Sequence, residues 1–287
     1  MKTRIISGIV MALITIGFIL AGVIVNPLFI SLFLIIISTI ATYEIVKNAA
    51  GIKSKATVCF SMVFTALFVF LMTGIHRLAV LIPMLKTIAS HRAMITLSLC
   101  GIYFFLCVVL IIKDHKDYDL GKIATLTTFV PVLSFAFCIL SGIINAKYGV
   151  YYIILMIAFS NGCDMGAYFT GVSIGKHKLC PEISPKKTVE GAIGGIVTSI
   201  ILTAVIMFVF RNHIEITTAK TVATILLTIP LCIVGMLGDL FASVIKRSVG
   251  IKDYGNLIPG HGGILDRFDS ILLISPALFI LIRAGII

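Results

Sequence analysis

Long runs of apolar residues, separated by short polar segments, dominate the chain. A helix of about 20 residues is ~30 Å long, which matches the hydrocarbon core of a bilayer. Each run of that length therefore predicts one transmembrane helix. Nine runs are present, at approximately residues 5–25, 28–46, 56–75, 93–112, 123–144, 149–169, 191–210, 221–238 and 270–287.

Composition supports a membrane protein. Hydrophobic residues make up 59% of the 287 and charged residues only 12%, whereas soluble domains carry roughly 25% charged residues. A water-soluble globular protein is therefore excluded. The net charge of +11 would suggest a nucleic-acid partner in a soluble protein. Here no nucleic acid is expected, because Lys and Arg collect at the cytoplasmic ends of membrane helices.

The distribution of charge along the chain predicts its orientation. With a cytoplasmic N-terminus, sixteen of the 23 Lys and Arg residues fall in cytoplasmic segments. Of the twelve acidic residues only Glu215 falls in an outside loop. The sequence thus predicts an all-α polytopic protein of the plasma membrane, with about nine transmembrane helices, a cytoplasmic N-terminus and an outside C-terminus.

Two parts of the chain are expected to differ in role. Residues 1–145 are predicted to form transmembrane scaffold helices, which also allow contacts in a homodimer. Residues 146–287 carry the candidate chemistry, in cytoplasmic loops at 172–190 and 239–269. Acidic residues on the nucleotide-containing side of a membrane favour an enzyme.

The loop 239–269 starts with a polar helix face. Asp239, Ser243 and Lys246 fall within about 40° of one another on a helix, and Arg247 lies beside them. A carboxylate near the bilayer is costly and is usually kept for a partner or a function. The alternative interpretation is a snorkelling helix end with an internal Asp–Lys pair.

Two carboxylates follow at helical spacing. Asp266 and Asp269 are three residues apart, so they share one helix face. Mg²⁺ is usually held by one or two carboxylates together with substrate phosphates, which this pair suits. Alternatively, Arg267 is simply their salt-bridge partner. The preceding turn is rich in glycine, which lets backbone N–H groups converge on a phosphate, and it contains Gly260, His261, Gly262 and Gly263.

The loop 172–190 holds a second candidate anion site. Ser184 and Pro185 are predicted to cap and open a helix, which places Lys186, Lys187 and Thr188 in its first turn. Free N–H groups there favour anions, so a phosphate or a lipid headgroup is expected. The alternative is positive-inside anchoring by the two lysines.

The preceding span contains an unusual acid. Asp164 lies within an apolar run, where it is either functional or satisfied by a helix–helix hydrogen bond. Gly171, Gly191 and Gly194 are expected to allow close packing of helices.

These motifs together resemble a known family. The segment Ser243-Val-Ile-Lys-Arg-Ser-Val-Gly-Ile-Lys-Asp-Tyr-Gly-Asn-Leu-Ile-Pro-Gly-His-Gly-Gly-Ile-Leu-Asp-Arg-Phe-Asp269 closely resembles the pattern of the phosphatidate cytidylyltransferases. The run Ser184-Pro-x-Lys-Thr-x-Glu-Gly191 is similar to that family as well. One departure is Ala242, where family members usually have Glu.

The resemblance implies transfer of a cytidylyl group from CTP to phosphatidate, giving CDP-diacylglycerol and pyrophosphate in phospholipid biosynthesis. It implies Mg²⁺ or Mn²⁺ as cofactor and allows a monovalent cation such as K⁺. The implied metal ligands are Asp239 and Asp266, followed by Asp269 and Asp164. The implied catalytic residues are Lys187, Lys246, Arg247, His261 and Arg267. The implied substrate-binding residues are Ser184, Lys186, Thr188, Glu190, Ser243, Gly260, Gly262 and Gly263.

Two other functions stay open. A CTP-dependent lipid-alcohol kinase of the polyprenol type would need a base to deprotonate a hydroxyl group, and the sequence shows no convincing His–carboxylate pair. An ion-coupled secondary transporter would use Asp164 and Asp239 along an ion path. It is disfavoured because the acids gather at one membrane face and no internal repeat is visible.

Overall fold

The computed structural model describes residues 2–215 and 217–287. Long helices account for most of the described chain, and each predicted apolar run falls on one of them. In chain order they are α1 (Lys2–Ile24), α2 (Leu28–Ala49), α3 (Lys55–Leu81), α4 (Arg92–Lys113), α5 (Leu120–Ile144), α6 (Gly149–Ile174), α7 (Val189–Phe210), α8 (Thr218–Ser248) and α9 (Leu265–Arg283).

Length and composition identify the membrane spans. Within the described residues, the seven helices α2 to α8 are long and apolar enough to cross a bilayer. The described apolar part of α1, Ile6–Gly22, is shorter, and α9 begins with the charged residues Asp266, Arg267 and Asp269. The all-α polytopic membrane fold predicted from the sequence is confirmed.

The chain divides into two compact units, which are described separately. The first unit contains residues Met1–Ser141 and Ile251–Arg267, and the second contains Gly142–Gly250 and Phe268–Ile287.

Hydroxyl groups hold helices of the first unit together. Thr42 of α2 and Thr65 of α3 share a hydrogen bond of 2.8 Å, and Ser134 of α5 donates to Thr65 at 3.1 Å. All three side chains are buried. Such interhelical hydrogen bonds and small residues are typical of membrane proteins, where lipid and core side chains are equally apolar.

Glycines bring α6 and α7 together in the second unit. A Cβ added at Gly195 would lie 2.5 Å from the Cys163 carbonyl oxygen, and one at Gly191 would lie 2.8 Å from the Ala167 carbonyl oxygen. A Cβ at Gly194 would overlap the side chain of Thr170. The close packing predicted for Gly191 and Gly194 is therefore confirmed, and Gly195 adds a contact that was not predicted.

A two-stranded antiparallel sheet lies between α6 and α7 in the sequence. Strand β1 (Lys178–Cys180) pairs with β2 (Ser184–Thr188). The prediction that Ser184 and Pro185 open a helix is wrong, because α7 begins at Val189. Thr188 is its N-cap, and its hydroxyl group accepts a hydrogen bond from Gly191 N at 3.1 Å. This start keeps Lys186 and Lys187 out of the first turn, where the helix dipole opposes cations.

Candidate functional site

The second unit contains a polar cavity of about 300 Å³. Helices α6 and α8 and strand β2 supply its charged side chains. The cavity therefore gathers predicted residues that are up to 75 positions apart in sequence. Its polar lining consists of Asp164, Tyr168, Ser184, Lys186, Lys187, Thr188 and Asp239.

An ion pair occupies this cavity. Lys187 Nζ lies 2.5 Å from Asp239 Oδ2, and the two side chains are 25% and 26% exposed. The Nζ atom itself is buried. Charge-assisted pairs of this kind are short and strong when water is partly excluded. An anion that enters the cavity therefore meets an ammonium group that is already desolvated.

The C-terminal part of α8 carries further charges. Lys246 is buried, with 8% of its surface exposed, whereas Arg247 is exposed in the last turn. Cations near a helix C-terminus are stabilised by the helix dipole. Ser243 is half-buried. Ala242, at the position where the family usually has Glu, is buried.

Asp269 joins this group of charges. A Cβ at Gly238 would lie 2.9 Å from the Asp269 carbonyl oxygen, so α8 and α9 are in close contact at this point. The negative charges of Asp239 and Asp164 repel that of Asp269, and the positive charge of Lys246 attracts it. Three carboxylates and a buried lysine thus interact electrostatically within the second unit.

Glu190 has a structural role in the sheet region. Its carboxylate accepts hydrogen bonds from Lys176 N at 3.1 Å and from His177 N at 3.2 Å. It also lies 2.5 Å from His177 Nδ1. These contacts connect the segment before β1 to the first turn of α7, and they form a His–carboxylate pair that the sequence analysis did not find.

The first unit contains the glycine-rich loop, which we define as residues 251–264, immediately before α9. A cavity of about 480 Å³ is lined by residues of this loop. Gly260 and Gly262 have φ angles of 78° and 82°, in the left-handed region that glycine adopts without strain. The predicted residues lining the cavity are Gly260, His261, Gly262 and Arg267, together with Lys252 and Asp253, which were not predicted.

Asp266 stabilises this loop through two hydrogen bonds from backbone N–H groups. The side chain is only 6% exposed. Its Oδ2 atom accepts hydrogen bonds from Tyr254 N at 2.8 Å and from Gly263 N at 2.9 Å. Each bond links the start of α9 to an earlier part of the loop.

His261 is oriented by a residue of α1. Ser7 Oγ lies 2.9 Å from His261 Nδ1 and donates to the Pro259 carbonyl oxygen at 2.9 Å. A serine hydroxyl is a weak partner for activating a base, so this geometry favours hydrogen bonding by His261 over proton abstraction.

Sequence reasoning missed Glu44. This residue of α2 is 2% exposed, and its carboxylate accepts hydrogen bonds from Ile264 N at 2.9 Å and Leu265 N at 2.8 Å. A signal for it was present in the sequence. Glu44 is the only acidic residue among the first 113 positions, and an isolated acid in an apolar helix is usually functional.

The donors fit a metal that is shared with a phosphate. Among the described residues, no three His, Cys, Asp or Glu side chains are grouped closely enough to hold a metal ion by themselves. Mg²⁺ needs only one or two carboxylates when phosphate oxygens and water complete its shell. Asp164 and Asp239, which line one cavity, meet that requirement.

Comparison with known proteins decides the family. The sequence profile of the cytidylyltransferase family matches residues 2–284. The chain belongs to the cytidylyltransferase family. The resemblance seen in the sequence is thus confirmed, and this family member is an enzyme of the nucleotidyltransferase class.

Proteins of several bacteria are similar to this chain. This cytidylyltransferase family member is similar to a phosphatidate cytidylyltransferase of Bacillus subtilis (strain 168), with 38% identity over 65% of this chain and 67% of that protein. It is 46% identical to the phosphatidate cytidylyltransferase of Staphylococcus haemolyticus, over 47% of this chain and 50% of that protein. For that of Staphylococcus epidermidis (strain ATCC 12228), identity is 49% over 42% of this chain and 44% of the relative. The alignments with the two Staphylococcus proteins thus span half or less of the relatives' length.

Proposed function

We propose that this enzyme transfers the cytidylyl group of CTP to phosphatidate, forming CDP-diacylglycerol and pyrophosphate. Membership of the family supports transfer of a cytidylyl group, and the names of the relatives support phosphatidate as the acceptor. The membrane helices place the enzyme where a lipid substrate is dissolved.

The observation that carries the proposal is the Lys187–Asp239 pair in its polar cavity. Both substrates are phosphate anions, and a phosphate oxygen competes with the Asp239 carboxylate for the Lys187 ammonium group. Lys186 lines the same cavity and adds a second positive charge. The side chain of lysine is flexible, so Lys187 can turn from Asp239 to a phosphate without movement of the backbone.

The reaction needs little acid–base chemistry. A phosphate monoester has a second pKa near 6, so phosphatidate is largely a dianion at neutral pH. One of its oxygens attacks the α-phosphorus of CTP, and a new P–O bond forms. The bond from the α-phosphorus to the bridging oxygen of the β-phosphate breaks, and pyrophosphate leaves with that electron pair. No proton has to be removed from the nucleophile, which agrees with the hydrogen-bonding role of His261.

The enzyme's own contribution is positioning and charge. Two polyanions repel each other, so cations must hold them together with the attacking and leaving oxygens in line. We assign Lys187, Lys246 and Arg247 to this task in the second unit, and Arg267 is a candidate phosphate contact of the first unit. Ser184, Thr188 and Ser243 provide hydrogen bonds to the substrates in the second unit, and the backbone N–H groups of the glycine-rich loop are candidate phosphate donors of the first unit.

Mg²⁺ is the proposed cofactor, with Mn²⁺ as a substitute and a monovalent ion such as K⁺ as a further component. Asp239 and Asp164 would hold the divalent ion, with Asp269 of the same unit as a further candidate ligand, and Asp266 is a separate candidate ligand of the first unit. A bound Mg²⁺ neutralises phosphate charge and polarises the phosphorus–oxygen bonds. Orientation is part of the proposal: we propose a site on the cytoplasmic side of the plasma membrane, where CTP is available, and the distribution of Lys and Arg along the sequence supports it.

The direct test uses purified full-length protein in phosphatidate-containing micelles with CTP and Mg²⁺. We expect equal amounts of pyrophosphate and CDP-diacylglycerol. Release of CDP with phosphorylation of a lipid alcohol would instead identify a kinase. Ion-driven solute flux in proteoliposomes without consumption of CTP would identify a transporter. Either result would replace the proposed function.

A further inference from the structure

A polar side chain of the N-terminal half contacts the glycine-rich loop. Glu44, on α2, is separated by about 220 positions from its partners Ile264 and Leu265. Both oxygens of its carboxylate are used, Oε1 by Ile264 N and Oε2 by Leu265 N. Burial of a carboxylate is costly unless hydrogen bonds replace its water. These two bonds therefore explain how the charge is tolerated.

The two N–H groups that bind Glu44 lie at the start of α9. Leu265 is the first residue of α9, and Ile264 is the last residue of the loop. The first N–H groups of a helix have no partner within the helix, and its N-terminus carries a partial positive charge. The Glu44 carboxylate provides partners for two of these N–H groups and is attracted by the partial positive charge. It therefore fixes where α9 begins.

The loop is shaped around this carboxylate. A Cβ at Gly263 would lie 2.5 Å from Glu44 Cδ and Oε2, and one at Gly255 would lie 2.6 Å from Oε1. Real Cβ atoms essentially never come closer than 3.0 Å, so a side chain at either position would force the Glu44 carboxylate or the loop to shift. Glycine is thus favoured at both positions by contact with Glu44 and not by a positive φ angle.

A second residue of α2 holds the other end of the loop. Asn48, one turn after Glu44, donates from Nδ2 to the Tyr254 carbonyl oxygen at 2.7 Å. Tyr254 N in turn donates to Asp266. The α-helix also changes to a π-helix at Glu44, over Glu44–Ala49, and such segments are frequent at functional sites.

We propose that Glu44 is a positioning residue, which holds the glycine-rich loop and the start of α9 in the arrangement that binds substrate phosphate. It acts through the backbone N–H groups of Ile264 and Leu265 and does not itself contact the substrate. This inference rests on the proposed function for its kinetic part only.

The test compares two variants of α2. Glu44→Gln keeps the size of the side chain but removes its charge and directs an NH₂ group at one N–H. Thr42→Val is the matched control, because Thr42 is also buried on α2 and bonds to Thr65, far from the loop in sequence. Hydrogen exchange of the peptide covering 254–265 is measured by mass spectrometry. Values of kcat and KM are measured with CTP and phosphatidate.

We expect Glu44→Gln to accelerate exchange in 254–265 about tenfold or more and to lower kcat about 10- to 100-fold, because misplacement by about 1 Å has effects of that size. Thr42→Val should leave both unchanged, even where it lowers the melting temperature. Equal exchange in the two variants, or a wild-type kcat for Glu44→Gln, would overturn the proposal.

A milder variant covers the case in which Glu44→Gln does not fold. Asn48 is exposed, so Asn48→Ala is compatible with folding and still removes one anchor of the loop. It should raise exchange near Tyr254 and lower kcat a few-fold; unchanged exchange there would contradict the inference. The exchange measurements need no turnover, so they stand even where CTP and phosphatidate prove not to be the substrates.

Discussion

Replacement of Gly263 by alanine tests the loop at its tightest point. The added Cβ would lie 2.5 Å from two atoms of the Glu44 carboxyl group. That group has no freedom to retreat, because both of its oxygens are bonded to backbone N–H groups. Either the carboxylate or the loop must therefore move, and at least one of these two bonds is lost.

The size of the effect follows from that loss. A hydrogen bond to a charged group contributes about 1.5–3 kcal/mol, so the native loop conformation is destabilised by about that amount. A difference of 1.4 kcal/mol corresponds to a factor of ten. We therefore expect Gly263→Ala to lower kcat and the exchange protection of residues 254–265 by about one to two orders of magnitude.

The assay is a double-mutant cycle of kcat and hydrogen exchange with Glu44→Ala. Without the carboxylate the new methyl group has nothing to overlap, so Gly263→Ala should add little to Glu44→Ala, and the two effects should not be additive. Gly101→Ala serves as control, because a Cβ at Gly101 meets nothing within 4 Å. Full additivity in the cycle, or unchanged exchange in Gly263→Ala, would refute the reasoning.

Three further predictions concern the cavity of the second unit. Lys187→Ala should raise KM for CTP or phosphatidate about tenfold or more by removing a charge-assisted contact. The matched variant Lys178→Ala, at the exposed first residue of β1, should keep the wild-type KM. Equal effects of the two variants would indicate that only the general positive charge matters. Asp239→Asn should lower kcat at least about tenfold and shift the Mg²⁺ dependence to higher concentrations, and a wild-type Mg²⁺ titration would exclude Asp239 as a ligand. Thr188→Ala should reduce the free energy of unfolding by about 1 kcal/mol through loss of the α7 N-cap, which thermal unfolding measures; an unchanged melting temperature would contradict it.

The helices could be predicted from the sequence because the signal is local. An apolar run of 20 residues satisfies its backbone in a bilayer only as a helix, whatever the rest of the chain does. The cavity was partly predictable for the same reason. Asp239, at the end of an apolar run, and the lysines before α7 are visible without knowledge of their partners.

The start of α7 shows where local signals fail. Ser184-Pro185 and Thr188 are both acceptable caps, and the sequence alone favoured the first. The choice is made by pairing with β1, where Cys180 is opposite Ser184 and Lys178 is opposite Thr188. This pairing joins two short segments without a distinctive hydrophobic pattern, so the sequence does not predict it.

The contacts of Glu44 could not be predicted from the sequence either, and they join residues much farther apart in the chain. Its charge marks it as unusual, but its partners are backbone N–H groups about 220 residues away. A backbone N–H carries no residue identity, so no sequence pattern reveals it. The glycines at 255 and 263 also give no hint, because glycine in a loop has many other causes.

The partners of each carboxylate indicate whether it maintains the loop conformation or is able to bind a ligand. Glu44 and Asp266 are each held by two backbone N–H groups, and breaking two such bonds costs about 3–6 kcal/mol. Asp239 is instead paired with Lys187, and both side chains are about a quarter exposed. A substrate phosphate can replace the Asp239 carboxylate as the partner of Lys187, and a metal ion can replace Lys187 as the partner of Asp239, so neither charge is left unpaired. The arrival of a metal ion and a phosphate can therefore reorganise Asp239 and Lys187 far more readily than Asp266. For that reason Asp239 is the stronger of the two candidate metal ligands, while Asp266 and Glu44 maintain the loop.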